Sequence, residues 1–462
     1  MTMRRLTVAL VLAGTLTGGA KTYEANWESL DSRPVPQWWT EAKFGIFIHW
    51  GLYSVPAYAP FDGKNVYACY AEWYQGRMIG DQGSTATQAF RAHHEKFYRS
   101  QPYANFGSQF TARFFEPAKW AELFRKAGAK YVVLTSKHHD GYALWPSPET
   151  PYYNSVAFGP GRDLCGELTA AVKAAGLKSG FYYSLMEYAN PAYRAAESNK
   201  TLRAWSDAMN IPQMKELVEN YKADIIWPDG EWNHTDEDWK SVEFLQWLYN
   251  ESSMKDTIVA DDRWGKGCRG KHGGHYTTEY GHGDEGVKAA ATMHPWEECQ
   301  GLGRSFGYNR FETTSEYKDP TACVRTLADV VSRGGNLLLD IGPDADGLIP
   351  PIMEDRLLAM GRWLAVNGEA IYGTTSWDDR PKTMAGDGVY YTCKGSTLYA
   401  IVFAKAEKVT VRKAGAVKAV SLLGSDRTIS WKSSGDAVEI DIPAFRPGEA
   451  PCEHALVFKL AR

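Results

Sequence analysis

The sequence predicts an α/β protein in two parts: a (β/α)8-like TIM barrel followed by a small C-terminal antiparallel β-sandwich. Three observations predict it. Between residues 44 and 342 short apolar runs alternate with amphipathic helical stretches, the pattern of parallel strands joined by helices. Several runs end in ionisable residues, as expected where barrel strands open onto a catalytic face. Beyond Trp377 the pattern changes to period two, with Gly and Pro between the runs.

At the N-terminus Arg4 and Arg5 precede a mostly apolar stretch from Leu6 to Leu16, followed by Gly18, Gly19 and Ala20. This reads as a secretory signal peptide over residues 1–20, too short to span a membrane. The mature chain is expected to be exported and soluble, with no membrane anchor. Barrel strands are predicted over 44–50, 131–136, 180–184, 224–229, 257–263 and 336–341, six of the eight that a closed barrel needs. Helices are predicted over 117–127, 165–175, 211–221 and 320–332, with apolar residues three and four apart, and over 350–366. A doubly wound sheet would also place ligands at strand ends, but no glycine-rich phosphate loop follows the first strand. The catalytic domain is therefore assigned to 21–377 and the sandwich to 378–462, with strands over 390–403, 408–413, 438–442 and 454–460.

Composition excludes several function classes. With 44% hydrophobic and 23% charged residues the chain is neither disordered nor fibrous. Fifty-one Lys and Arg against 55 Asp and Glu, with no basic run, argue against a nucleic-acid partner. Seven cysteines are few and odd in number, so no disulfide framework is expected; Cys393 and Cys452 are read either as a pair or as free thiols. Asn199, Asn233 and Asn250 head glycosylation sequons that matter only in a eukaryotic host. Association into a homo-oligomer is left open.

The densest ionisable cluster is Lys137-His138-His139-Asp140 at a strand end. It reads as a metal site, as hydroxyl-binding groups or as polar core, and adjacent strand residues should point to opposite faces. Asp229 ends a strand in W-P-D-G-E-W, where it could attack an electrophilic carbon or cap the next loop. Glu279 in T-T-E-Y and Glu297 in P-W-E-E-C are expected on longer loops, and either could supply a proton. Aromatics make up 13% of the chain, and 16 of the 17 Trp precede residue 380. Trp50, Trp73, Trp227, Trp264 and Trp296 each neighbour a His, Asp, Glu or Arg, the interleaving that sugar recognition needs; Trp120, Trp247 and Trp363 read as helix core. These residues point to an exported, carbohydrate-active barrel with two carboxylates.

The strings AKFGIFIHWGLYSVPA, YAEWY, AGAKYVVLTSKHHDGYALW, GFYYSLMEY, DIIWPDGEW, DDRWG, SFGYNR and RGGNLLLDIGPDADGLIP resemble the α-L-fucosidases of glycoside hydrolase family 29. The resemblance runs from about residue 27 to 377. It implies a retaining, exo-acting α-L-fucosidase with no metal and no cofactor, acting on a fucosylated oligosaccharide or glycoconjugate. Carried over position by position, Asp229 is the nucleophile, and His49, Glu72, Trp73, His138, His139, Tyr182, Trp227 and Arg263 line the fucose pocket. Glu279 matches the acid/base of bacterial relatives with a T-x-E-Y segment. Glu297 matches a glutamate proposed for that role in animal relatives, and Glu279 is favoured. Pro228 departs from the polar residue found there in many members and should hold Trp227 extended. The implied location is secreted or periplasmic, lysosomal in a eukaryote. Leaving-group contacts are expected from residues 75–110 and 266–295. A fucose-binding lectin-like protein without turnover, and a metal-dependent hydrolase using His138 and Asp140, are the competing readings.

Overall fold

Eight strands form one parallel sheet: Phe44–Ile48 (β1), Tyr131–Lys137 (β2), Lys178–Ser184 (β3), Ile225–Asp229 (β4), Val259–Ala260 (β5), Tyr276–Glu279 (β6), Trp296–Gly301 (β7) and Asn336–Ile341 (β8). The computed structural model describes residues 21–60, 66–80, 83–280, 294–377, 388–403, 406–446 and 448–462; the expected signal peptide lies outside them. The strand order β5-β4-β3-β2-β1-β8-β7-β6 is that of a (β/α)8 barrel. Its ends meet where Gly274 N donates to Asp261 O at 2.8 Å and His275 N to Ala260 O at 3.1 Å.

The apolar runs became strands β1 to β5 and β8, with β5 cut to two residues. After Ala260 the chain leaves the ladder because Asp261 and Asp262 take backbone N–H groups on their side chains, from Arg263 at 3.0 Å and from Thr277 at 3.1 Å. Glu279 and Glu297, expected on loops, lie instead on β6 and β7. Both strands carry polar residues into a buried interior, so neither shows an apolar run.

Connecting helices sit where periodicity places them. Pro117–Ala127 starts on a proline, whose missing N–H is not needed there, and stops at Gly128 in the left-handed region (φ 88°). It buries Trp120, Ala121, Phe124 and Ala127. Phe47, Val133, Ile225, Val259 and Leu338 fill the barrel interior above Trp39 and Tyr131.

The C-terminal part packs a five-stranded antiparallel sheet, β13-β16-β11-β10-β9, on a three-stranded one, β12-β15-β14. In chain order these are Thr375–Ser376 (β9), Val389–Lys394 (β10), Thr397–Val402 (β11), Lys408–Val411 (β12), Ala419–Leu422 (β13), Trp431–Ser434 (β14), Ala437–Asp441 (β15) and Leu456–Ala461 (β16). Strand β11 is buried on both faces: Leu398, Ala400 and Val402 join the sandwich core, while Tyr399 and Ile401 join the barrel's core. Trp363 Nε1, on the last barrel helix, donates to Ala455 O at 2.9 Å across the junction. All seven cysteines are free. Cys393 and Cys452 do not pair, since the first contacts Ser376 O at 3.3 Å and the second Ala455 O at 3.2 Å. Among the described residues no helix is long and apolar enough to cross a membrane.

Candidate active site

Asp229 closes β4 at the C-terminal mouth of the barrel, and Pro228 lies beyond the last β4–β5 pair, Ile226 with Ala260. Three donors hold the carboxylate. Tyr182 OH, from β3, donates to Oδ2 at 2.8 Å; Arg263 and Arg269 reach Oδ1 at 2.6 and 3.3 Å. Burial pushes the Asp229 pKa up, but the Arg263 and Arg269 guanidinium groups outweigh it and hold the carboxyl well below the usual range. Arg263 is itself fixed: it lies over the Trp227 ring at 4.3 Å and its Nε donates to Thr277 Oγ1 at 3.0 Å. Its second terminal nitrogen is 3.5 Å from Glu279 Oε2. Glu279, the last residue of β6, also accepts from Tyr70 OH at 2.7 Å. One guanidinium therefore touches both carboxyl groups.

The histidines are neutral. Burial lowers His49 to about 3, His139 to about 4, and His138 well below the usual imidazole value. His49 Nδ1 lies 2.6 Å from Asp340 Oδ1 on β8. His139 Nδ1 lies 2.6 Å from Ser184 Oγ, and that hydroxyl already donates to Met186 O at 2.6 Å. Nδ1 must then carry the proton, which leaves a bare lone pair on Nε2, 3.6 Å from Asp229 Oδ2. His138 and His139 do not diverge as strand alternation would require. They follow the end of β2, where alternation no longer holds, and their rings are 4.2 Å apart.

Glu72, on the Ala71–Trp73 turn, accepts from Gly307 N at 2.8 Å and Ser305 Oγ at 3.3 Å, both through Oε2. Burial pushes its pKa up to about 8, against those hydrogen bonds. Glu72 Oε1, His138 Nδ1 and His139 Nε2 are buried without a partner. Buried polar atoms are nearly always partnered, so three orphans in one cluster mark where ligand hydroxyl groups bind.

A cavity of about 280 Å³ brings together the predicted His49, Glu72, Trp73, His138, Tyr182, Trp227, Asp229, Arg263 and Glu279. His139 meets this cavity through its Nε2, which faces the lining residue Asp229 at 3.6 Å. Glu297 is not part of it. It lies level with Thr277 near the start of β7, is 1% exposed, and accepts from Tyr131 OH at 2.5 Å and Trp227 Nε1 at 3.1 Å. Asp140 also points elsewhere, accepting from Tyr103 OH at 2.7 Å. Among the described residues no group of three His, Cys, Asp or Glu could hold a metal ion.

Of the five tryptophans expected near sugar-contacting groups, only Trp73 and Trp227 line the cavity. Trp50 packs on Phe110, Phe115 and Trp120, Trp264 on Phe244, and Trp296 under Arg333 at the base. The sequence reading missed Tyr70, Trp232, Arg269 and Phe306, which also line the cavity. Tyr70, Trp232 and Phe306 lay inside motifs already noted; Arg269 lies in the 266–295 loop expected to meet leaving groups, but with no motif of its own it was not singled out.

Known proteins are similar to this chain over nearly its whole length. The family model described as Alpha-L-fucosidase matches residues 10–369, and that described as Alpha-L-fucosidase C-terminal domain matches residues 382–461. The tissue alpha-L-fucosidase of Rattus norvegicus is 41% identical over 466 residues, covering 98% of this chain and 96% of its own. That of Homo sapiens is 41% identical over 448 residues, covering 95% and 92%. The Thermotoga maritima alpha-fucosidase solved in complex with fucose superimposes with a TM-score of 0.79 at 35% identity, covering 95% of this chain and 100% of that one. An alpha-L-fucosidase GH29 from Bacteroides thetaiotaomicron does so at 0.75 and 26%, covering 92% and 94%. The chain thus belongs to the alpha-L-fucosidase family of glycoside hydrolases, family 29.

Proposed function

We propose that this protein is an exported α-L-fucosidase that releases terminal α-L-fucose from glycoconjugates or polysaccharides with retention of configuration. Asp229 is the nucleophile and Glu279 the acid/base. The observation that carries the reading is the single Arg263 guanidinium touching both carboxyls at 2.6 and 3.5 Å. The two carboxyls thus flank one guanidinium, as a pair acting on a single glycosidic bond must, and in a retaining enzyme such a pair stands about 5–5.5 Å apart. Asp229, held ionised by two arginines, attacks the anomeric carbon as Glu279 gives its proton to the departing oxygen. Water then attacks the same carbon, passes a proton to Glu279, and releases fucose and the Asp229 carboxylate. Neutral His49, His138 and His139 bind ring hydroxyls. Glu72 serves the same end, offering a hydroxyl donor when protonated.

Replacing Asp229 with Gly tests the assignment. Nitrophenyl fucoside turnover should fall at least about 10³-fold, and added azide should restore phenol release as a fucosyl azide. Retained activity without azide rejects Asp229 as nucleophile. Fucose binding by the unaltered protein with no turnover of any fucoside supports the lectin-like reading instead.

A further inference from the structure

We propose that Arg269 is a positioning residue, shared between Asp229 and Glu231, that governs how readily Asp229 departs from the glycosyl-enzyme. This rests on the retaining reading above. Arg269 Nε donates to Glu231 Oε1 at 2.6 Å, and its terminal nitrogen lies 3.4 Å from Glu231 Oε2 and 3.3 Å from Asp229 Oδ1. That Oδ1 is the oxygen already taken by Arg263. Glu231, two residues past Asp229, is 2% exposed and anchors one edge of the Arg269 fork.

The loop carrying Arg269 is pinned before it, where Lys266 N donates to His234 O at 2.7 Å, and after it. Gly270 N donates to Asp262 Oδ2 at 2.7 Å, Gly273 N to Asp31 Oδ1 at 3.0 Å, and Gly274 N to Asp261 O at 2.8 Å. Arg269 is therefore built into the mouth of the cavity rather than a surface charge fallen into it.

In the first step an Asp229 oxygen bonds to the anomeric carbon, the bond to the leaving oxygen breaks, and the carboxylate charge vanishes into an ester. In the second step water bonds to that carbon, its proton goes to Glu279, and the ester bond breaks with both electrons returning to Asp229. A cation on the carboxylate stabilises it relative to the ester, so it slows the first step and speeds the second. Glu231 keeps Arg269 in place while Asp229 is esterified, ready for the returning charge. Facing Asp229 are Tyr182 from β3, neutral His139 beyond β2, neutral His49 beyond β1, Glu231, and Glu279 across Arg263. Among the described residues facing Asp229 only the two arginines are cationic.

The test is Arg269→Met in the full chain, compared with Arg269→Lys. In Arg269→Met the ratio of second-step to first-step rate constants, from burst kinetics with an activated aryl fucoside, should fall about tenfold or more, since one pKa unit is a factor of ten. The acid limb of kcat/KM should rise by at least about one pH unit, the usual effect of one close opposite charge. Arg269→Lys, which keeps the charge, should recover part of both. An unchanged ratio and acid limb, with only a lower melting temperature, overturns the proposal. If Asp229→Gly yields no fucosyl azide, the retaining reading has failed; if azide is captured and Arg269→Met still behaves like the parent, only this inference has.

Discussion

The upper and lower halves of the barrel interior hold glutamates on neighbouring strands. Glu279 is the last residue of β6 and pairs in register with Cys299; Glu297 sits two residues lower on β7, level with Thr277. At about 3.3 Å per residue that is a drop of about 7 Å. Glu279 keeps 17% of its side chain exposed, at the cavity mouth beside Arg263. Glu297 is sealed under Trp227, taking its indole N–H and the Tyr131 hydroxyl. A proton donor must reach the leaving oxygen, so depth along the strand, more than residue type, separates the two glutamates. Glu297 instead holds Trp227, the ring on which Arg263 rests.

The sharpest way to break this comparison is to remove each glutamate and vary the leaving group. Glu279→Ala should lose about 10²–10⁴-fold on fucosides with poor leaving groups, the usual worth of a general acid, and far less on dinitrophenyl fucoside. A flat loss across leaving groups would show that Glu279 protonates nothing. Glu297→Gln should lower kcat by the same factor for every leaving group, because it acts through Trp227. A loss confined to poor leaving groups in that variant would move the acid/base role to Glu297. Glu297→Ala leaves the Tyr131 and Trp227 donors unpaired in the core, at about 1–3 kcal/mol each, and denaturant unfolding should show that destabilisation.

The same contrast explains what the sequence could reveal. Strands β1 to β4 and β8 are dense in Val, Ile, Leu and aromatics, and the barrel was legible from them, as were the helices over 117–127, 211–221 and 320–332. Strands β6 and β7 were not, because YTTE and WEECQG turn polar side chains into the barrel and so lack the apolar run that signals a strand. Nine of the residues assigned by family resemblance meet in one cavity, because their motifs end barrel strands or the turn after β1. The part Arg269 plays at Asp229 was not legible, although its loop was expected at the mouth: it reaches Asp229 through tertiary anchoring of that loop at Asp31 and Asp262. In the sandwich, β13 and β14 are short, with most residues at least partly exposed, so period two was too faint to separate them from loops.

Glu72 probes a third kind of carboxyl, at the mouth but short of donors. Its folded-state pKa is raised to about 8 from 4.5, burial outweighing the hydrogen bonds from Gly307 and Ser305. Between those values the folded protein holds a proton that the unfolded chain has released, so this group's contribution to stability falls as pH rises through that window. Above about pH 8 both states are ionised and the full penalty of the buried charge remains. Glu72→Gln cannot ionise. The melting temperature of the parent should therefore decline relative to the variant from about pH 5 to about pH 8, by no more than about 1.4 kcal/mol per pH unit in stability. Asp229 behaves oppositely: its carboxyl is depressed, so its stabilisation is present above the unfolded-state value and is lost only as pH falls through the folded one. A parent and a Glu72→Gln variant with parallel melting profiles would mean that Glu72 is ionised at neutral pH, and that it meets ring hydroxyls as an acceptor alone.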